Sequence, residues 1–239
     1  QVRWTGRGDS LRVGLMAIKS LGRRTRARLL EARAERPFRS LAGFLERARP
    51  GEDEVRALIL AGAFQALHPG VDEAGLLWHL AQARQKASKN PRSGKALFEP
   101  GQVDGPPLPA SRELDRLRRQ YAVLGFLVDR HPMELFKQAL KGQKLIKARD
   151  LARHVGRKVR LAGWLITGKT VSTHKREAMQ FLTFEDETGL VEATFFPEAY
   201  RRFHLTLDWG RPYVLAGLVE ENFGAATLTV DWSKPVRLA

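Results

Sequence analysis

AMQFLTFEDETGLVEATFFPEAY, residues 178–200, is the stretch from which the fold can be read. Met179 to Glu185 and Leu190 to Phe196 are rich in β-branched and aromatic residues and alternate with period two. Between them Asp186-Glu187-Thr188-Gly189 supplies turn chemistry, with Gly189 free to take positive φ. The stretch predicts a β-hairpin, and Pro197-Glu198 opens a short helix to Phe203. Alternation divides the hairpin into two faces. Leu182 and Phe184, with Val191, Ala193 and Phe195, form an apolar set expected to fill a core. Phe181 and Thr183, with Glu192 and Thr194, then face outwards.

Working outward, a long strand-like run, Lys158 to Ser172, precedes the hairpin and reaches it through the basic loop Thr173 to Arg176. Two further runs, Pro212 to Glu221 and Ala226 to Trp232, follow the helix and are linked by a turn at Asn222-Phe223-Gly224. Three strands, a short helix and two strands in about eighty residues is the layout of the OB-fold, a five-stranded Greek-key barrel that binds oligonucleotides across strands 2 and 3. On that face an exposed Phe181 would stack a base, worth about 1–3 kcal/mol, or pack against neighbouring helices instead. Thr183 and Thr194 flank it, and Lys169, His174, Lys175 and Arg176 line the strand 1–2 connection where a nucleic-acid backbone would pass. Glu192 opposes that reading by repelling phosphate.

The 239 residues hold enough apolar chain for two domains, and 43% hydrophobic content is ordinary for a folded protein. No apolar run approaches the roughly 18 residues of a membrane span, and no signal-peptide pattern opens the chain. Cys is absent, which excludes a disulfide framework and thiolate chemistry, and a cytoplasmic protein is expected. From the start at Gln1 and the strand-like, unpartnered Val2-Arg3-Trp4, a piece cut from something larger is expected. The net charge of +15 is uneven. Residues 1–92 carry 18 basic and 9 acidic side chains, whereas residues 155–239 carry 11 and 10. Affinity for polyanions should therefore concentrate in the N-terminal half.

That half reads as helices. Leu11 to Leu21, the turn Lys19-Ser20-Leu21-Gly22 and a helix from Arg23 to Arg36 give helix, tight turn, helix. Arg23, Arg24, Arg26 and Arg28 follow the turn at once. The pattern is close to a helix-hairpin-helix motif, with Ser20 where a first Gly is usual. Backbone N–H groups of such a turn, with the helix dipole, hold a phosphate oxygen without reading a base. An ordinary helical hairpin with a solvated Arg face gives the same pattern. Ser40 is placed to cap a helix from Leu41 to Ala48, Glu52 to Leu60 follows, and Ala61-Gly62-Ala63-Phe64 makes a second tight turn. Asp72 then caps a helix to about Ser88, with Trp78 and His79 expected in its core or rim. The architecture is thus α+β and multidomain: a tandem helix-hairpin-helix unit over 1–88, a linker over 89–110, a helical bridge over 111–154 and the barrel over 155–239. The linker holds one apolar island, Ala96-Leu97-Phe98, which must dock on its own protein or on a partner to leave water.

IKSLG followed by an Arg-rich helix, PFRSLAGFLERA, LILAGAF, LGF…HPM and FLTFEDETG…FFPEAY occur in this order. Together they resemble the C-terminal portion of the bacterial DNA polymerase III alpha subunits, the C-family polymerases. The resemblance implies tandem hairpins that grip duplex DNA behind an active site, a sliding-clamp-binding peptide, and a barrel that contacts single-stranded template within a replisome. It maps the first DNA-binding hairpin onto Lys19, Leu21, Gly22, Arg23 and Arg24, and the second onto Gly62 and Ala63. It maps the apolar end of the clamp peptide onto Leu97-Phe98, with Gly94 where the family's Gln would stand. It also implies that catalysis lies elsewhere, since polymerase chemistry needs carboxylates holding two Mg²⁺ ions about 4 Å apart. The tight acidic cluster Glu185-Asp186-Glu187 sits in a hairpin turn and reads as a solvated turn. The six His residues (68, 79, 131, 154, 174 and 204) lack metal-ligand spacing. No cofactor is expected in this segment, only Mg²⁺ in the parent polymerase. A monomer without membrane contact is expected. Two rival readings stand beside it: a replisome protein-interaction module, and an RNA-binding barrel like those that bind tRNA anticodons.

Overall fold

A computed structural model describes residues 2–89, 112–222 and 224–238. The chain divides into two compact units, Gln1–Val128 and Asp129–Ala239.

The first unit opens with a two-stranded ribbon, β1 (Thr5–Arg7) against β2 (Ser10–Arg12), turning at Gly8 with φ +57°. Sequence periodicity predicts a helix from Leu11, but the structure has β2 there and only one 3₁₀ turn, Leu15–Ala17. The cause lies at Gly14, which sits against the backbone of Val2 to Trp4 where a Cβ would overlap the Val2 carbonyl. Met16 N–H donates to that same carbonyl at 3.0 Å. Val2 to Trp4 is accordingly held by the residues after the ribbon, and the strand begins at Thr5 with its partner a few residues away.

Four helices follow: α1 (Arg23–Glu35), α2 (Leu41–Ala48), α3 (Glu52–Leu60) and α4 (Glu73–Lys89). The caps lie where the sequence places them. Gly43 N–H donates to Ser40 Oγ at 3.1 Å, and Gly75 N–H donates to Asp72 Oδ1 at 2.8 Å. Leu29, Phe44, Val55, Leu58, Leu76 and Leu80 meet in one core, so each helix turns an apolar stripe to the same centre. The bridge expected over 111–154 is shared between the units. Its helix, α5 (Glu113–Leu124), buries Leu124 in the helical core, and Arg119 Nε donates to Glu73 of α4 at 3.0 Å. Gly125, at φ +85°, ends α5.

The rest of that bridge belongs to the second unit. It comprises a 3₁₀ segment Pro132–Phe136, the single turn α6 (Lys137–Leu140) and a 3₁₀ segment Ala148–His154. Ala148 and Leu151 are buried in the barrel core. The barrel strands are β3 (Lys158–Ser172), β4 (Ala178–Asp186), β5 (Gly189–Phe195), β6 (Pro212–Asn222) and β7 (Ala225–Pro235). They close in the order β3-β4-β5-β7-β6, with β5 and β7 parallel and the other pairs antiparallel. Helix α7 (Pro197–Phe203), with Pro at its first turn, connects β5 to β6. This is the predicted OB-fold. Leu182, Phe184, Val191, Ala193 and Phe195 all point inward and are almost wholly shielded, as alternation requires. Closure needs a bend at Gly217, where β6 shifts register against β7 and a Cβ would overlap the Thr229 carbonyl.

Candidate nucleic-acid interface

In the helical unit the turn Lys19-Ser20-Leu21-Gly22 runs directly into the N-terminus of α1, with Gly22 as its cap residue. Leu21 is buried and anchors the turn in the core, while Ser20, Gly22, Arg23 and Arg24 are exposed. Among the described residues no acidic side chain pairs with Arg23, Arg24 or Arg26. Lys19 is held from both ends against α5: its N–H donates to Val123 O at 3.1 Å and its Nζ to Ala122 O at 3.3 Å. That ammonium therefore sits at the negative end of the α5 dipole.

One residue that sequence reasoning missed reshapes this site. Glu54, in the first turn of α3, accepts from Gly22 N–H at 2.9 Å, from Gly51 N–H at 2.8 Å and from Thr25 Oγ1 at 2.8 Å. A single carboxylate thus caps α1 and α3 together. Burial pushes its carboxyl up, but the N–H groups of Gly51 and Gly22, the Thr25 hydroxyl and the Arg28 charge outweigh burial and hold it below its ordinary value. Gly22 N–H is therefore already engaged. What α1 presents outward is the remainder of its first turn together with Arg23 and Arg24.

The second tight turn differs in kind. Gly62 lies at φ +80°, Gly62 N–H donates to Ile59 O at 2.9 Å, and Ala63 N–H donates to Leu58 O at 3.0 Å. This pair of bonds is a Schellman cap that closes the C-terminus of α3. The two N–H groups of the residues mapped to the second hairpin, Gly62 and Ala63, are thus bonded to the helix that they end. The residues Leu97 and Phe98 lie outside the described residues.

On the barrel the register places a row of outward residues across four strands: Lys169 on β3, Phe181 on β4, Thr194 on β5 and Thr229 on β7. Phe181 is 41% exposed, and the Lys169 ammonium lies 5.8 Å from its ring centroid. The next row of the register is Thr167, Thr183, Glu192 and the buried Thr227, so the Glu192 carboxylate borders the aromatic row. His174, Lys175 and Arg176 are exposed in the β3–β4 loop, beyond the Ser172–Ala178 pair, with Arg176 at φ +61°. Glu177, which would offset their charge, is drawn aside by Arg201 at 3.1 Å. Thr229 was not foreseen, because the parallel β5–β7 pairing that brings it into the row joins strands far apart in sequence.

In the acidic hairpin turn Glu187 and Gly189 are exposed, but Asp186 is not. Asp186 is buried, with Oδ2 accepting from Ala148 N–H at 3.0 Å and Oδ1 from Thr188 N–H at 2.7 Å. Lys147 Nζ donates to Glu187 at 2.5 Å, Arg149 N–H donates to Thr188 Oγ1 at 3.2 Å, and Glu185 lies 3.3 Å from His131 Nε2. The three carboxylates latch the turn onto the segment before the barrel. Among the described residues no cluster of His, Asp and Glu is arranged to hold a metal, and no helix is long and apolar enough to cross a membrane.

Comparison with known proteins agrees with both halves. Residues 1–74 match a helix-hairpin-helix motif family, and residues 159–231 match a family of OB-fold nucleic acid binding domains. An error-prone DNA polymerase of Anaeromyxobacter sp. (strain K) is 34% identical over 231 residues, 96% of this chain and 20% of that protein. An error-prone DNA polymerase of Alkalilimnicola ehrlichii is 32% identical over 228 residues, 92% of this chain and 21% of the relative. The DNA polymerase III subunit alpha of Bacillus subtilis is 32% identical over 230 residues, 91% of this chain and 20% of that protein. The chain spans about a fifth of the length of these relatives. Over nearly its whole length, the chain is similar to a segment of the bacterial error-prone DNA polymerases and DNA polymerase III alpha subunits.

Proposed function

We propose that this chain is a DNA-handling, non-catalytic part of a bacterial C-family DNA polymerase. The helical unit grips the sugar-phosphate backbone of duplex DNA, and the barrel receives single-stranded template across the Lys169–Phe181–Thr194 row. The observation that carries the reading is the pair Arg23 and Arg24 at the start of α1: both are exposed, and among the described residues neither has an acidic partner, so their charge is free for phosphate while Glu54 holds the turn behind them. Lys19, Ser20 and Leu21 shape the turn that presents them. The Mg²⁺-binding carboxylates of such a polymerase would lie in another part of the parent protein, and this segment would bind without a cofactor in the cytoplasm. A sliding clamp would engage the Leu97-Phe98 island, and other replisome subunits the remaining surface. Charge supports the division of labour, since the N-terminal half carries most of the excess of Lys and Arg.

The test is differential. Arg23→Ala with Arg24→Ala in the complete chain should weaken binding to a duplex oligonucleotide far more than binding to a thymidine single strand. Equal loss on both would remove the duplex assignment. A second reading, in which the barrel docks a protein partner, rests on Glu192 beside Phe181 and on the barrel's near balance of charge. Absence of any single-strand affinity attributable to Phe181 would favour it.

A further inference from the structure

We infer that the barrel carries a second single-strand-binding track on the face formed by the first half of β3 with β6 and β7, away from the hairpin row. This inference does not depend on the hairpin-face reading.

The register sets Arg160 on β3, Ala216 on β6 and Trp232 on β7 in one outward row. Ala216 is too small to separate its neighbours, and the Arg160 guanidinium comes to 5.6 Å from the Trp232 ring centroid. Arg160 also donates to Gln143 Oε1 at 3.3 Å, which fixes the planar group over the ring. Two grooves open on either side of it, about 510 Å³ and about 590 Å³, and Arg160 lines both. The first is walled by Lys144 and Lys158 and floored by Ala216 and Gly217, at the bend where β6 and β7 change register. Lys234 and Arg237 line the second, together with Trp232. The acid in this surface, Asp231, is paired with Lys158 at 2.6 Å. Lys144, Arg160, Lys234 and Arg237 have no acidic partner among the described residues.

A strip of unpaired cations interleaved with a guanidinium-covered indole is the chemistry of a single strand. Phosphates neutralise the Lys and Arg, and an unstacked base finds a flat surface at Arg160 and Trp232. A duplex keeps its bases stacked inside and cannot use the ring. An acidic peptide would answer the charge but leave the stacked pair without a function.

The test uses the complete chain and a fluorescein-labelled thymidine 20-mer, with anisotropy followed over a salt series. Lys144→Ala with Lys234→Ala, both at exposed positions, should lower affinity about fivefold and reduce the steepness of log K against log salt by about 1.4. In a chain with ¹⁵N-labelled indoles, the Trp232 resonance, assigned with Trp232→Phe, should shift on adding the oligonucleotide. Unchanged affinity and slope in the double variant, or an unmoved Trp232 resonance, would overturn the inference. Competition by polyglutamate as effective as by unlabelled thymidine oligomer would overturn the nucleic-acid assignment. Lys169→Ala with Phe181→Ala provides the separate arm. Loss there with no effect of Lys144 and Lys234 leaves only the hairpin face, and the converse leaves only this one.

Discussion

Glu54 accepts the backbone N–H of Gly22 at 2.9 Å, across 32 positions of sequence, and so fixes the start of α1 against the start of α3. Through the same carboxylate, Gly51 and Thr25 are held as well. The turn proposed to meet phosphate is thereby set by an internal anion, and its presentation depends on a residue that need not touch DNA.

Glu54→Ala should therefore destabilise the helical unit by about 1–3 kcal/mol, since three donors lose an acceptor. The carboxyl is held below its ordinary value of 4.5, so its contribution is fully present above pH 4.5 and is lost as pH falls through the lower folded value. Thermal unfolding of the wild-type chain and of Glu54→Gln should converge at acid pH. Curves that stay equally separated down to pH 3 would contradict this role.

His68 caps α2 from outside. Leu41 N–H donates to its Nε2 at 2.9 Å, which requires the neutral ring. Burial, with some repulsion from His79, lowers its pKa from 6.5. Its contribution is present above pH 6.5 and is lost as pH falls through the lower folded value. The fall in Tm on going from pH 7.5 to 5 should be smaller in His68→Gln than in wild type. His79, likewise lowered by burial, leaves a component that persists in the variant.

Asp186 ties the hairpin turn to Ala148 and Thr188. Its replacement by Ala strands buried donors and should cost about 2–3 kcal/mol in urea unfolding of the barrel. Asp186→Asn keeps an acceptor oxygen and should cost less. Equal midpoints for wild type and Asp186→Ala would show that the turn is solvated after all.

Phe181→Ala removes the aromatic of the hairpin row and should weaken single-strand binding by about 1–3 kcal/mol, with duplex binding unaltered. Phe181→Tyr, which keeps the ring, should restore it. The barrel core lies on the other face of β4, so the far-UV spectrum should not change.

The barrel was legible in the sequence because period-two alternation over long strands leaves few alternatives: β3 spans the predicted residues, and the inward set of the hairpin is the set that fills the core. The N-terminal ribbon was not, because three-residue strands carry too little pattern and Leu15, Ile18 and Leu21 mimic helical spacing. At the site, Arg23 and Arg24 were visible from local charge. Glu54 was visible only as an acidic residue in a first helical turn, since its link to Gly22 is set by tertiary packing. Gly62 was recognised as a turn, but whether its N–H faces solvent or its own helix depends on the bonds to Ile59 and Leu58.

The most direct test of the account is the salt dependence of duplex binding by the complete chain and by Arg23→Ala with Arg24→Ala. If both guanidinium groups meet phosphate at the start of α1, affinity should fall at every salt concentration and the slope of log K against log salt should become shallower by about 1.8. A double variant with the wild-type affinity and slope on duplex DNA would contradict the claim that this turn is the duplex grip.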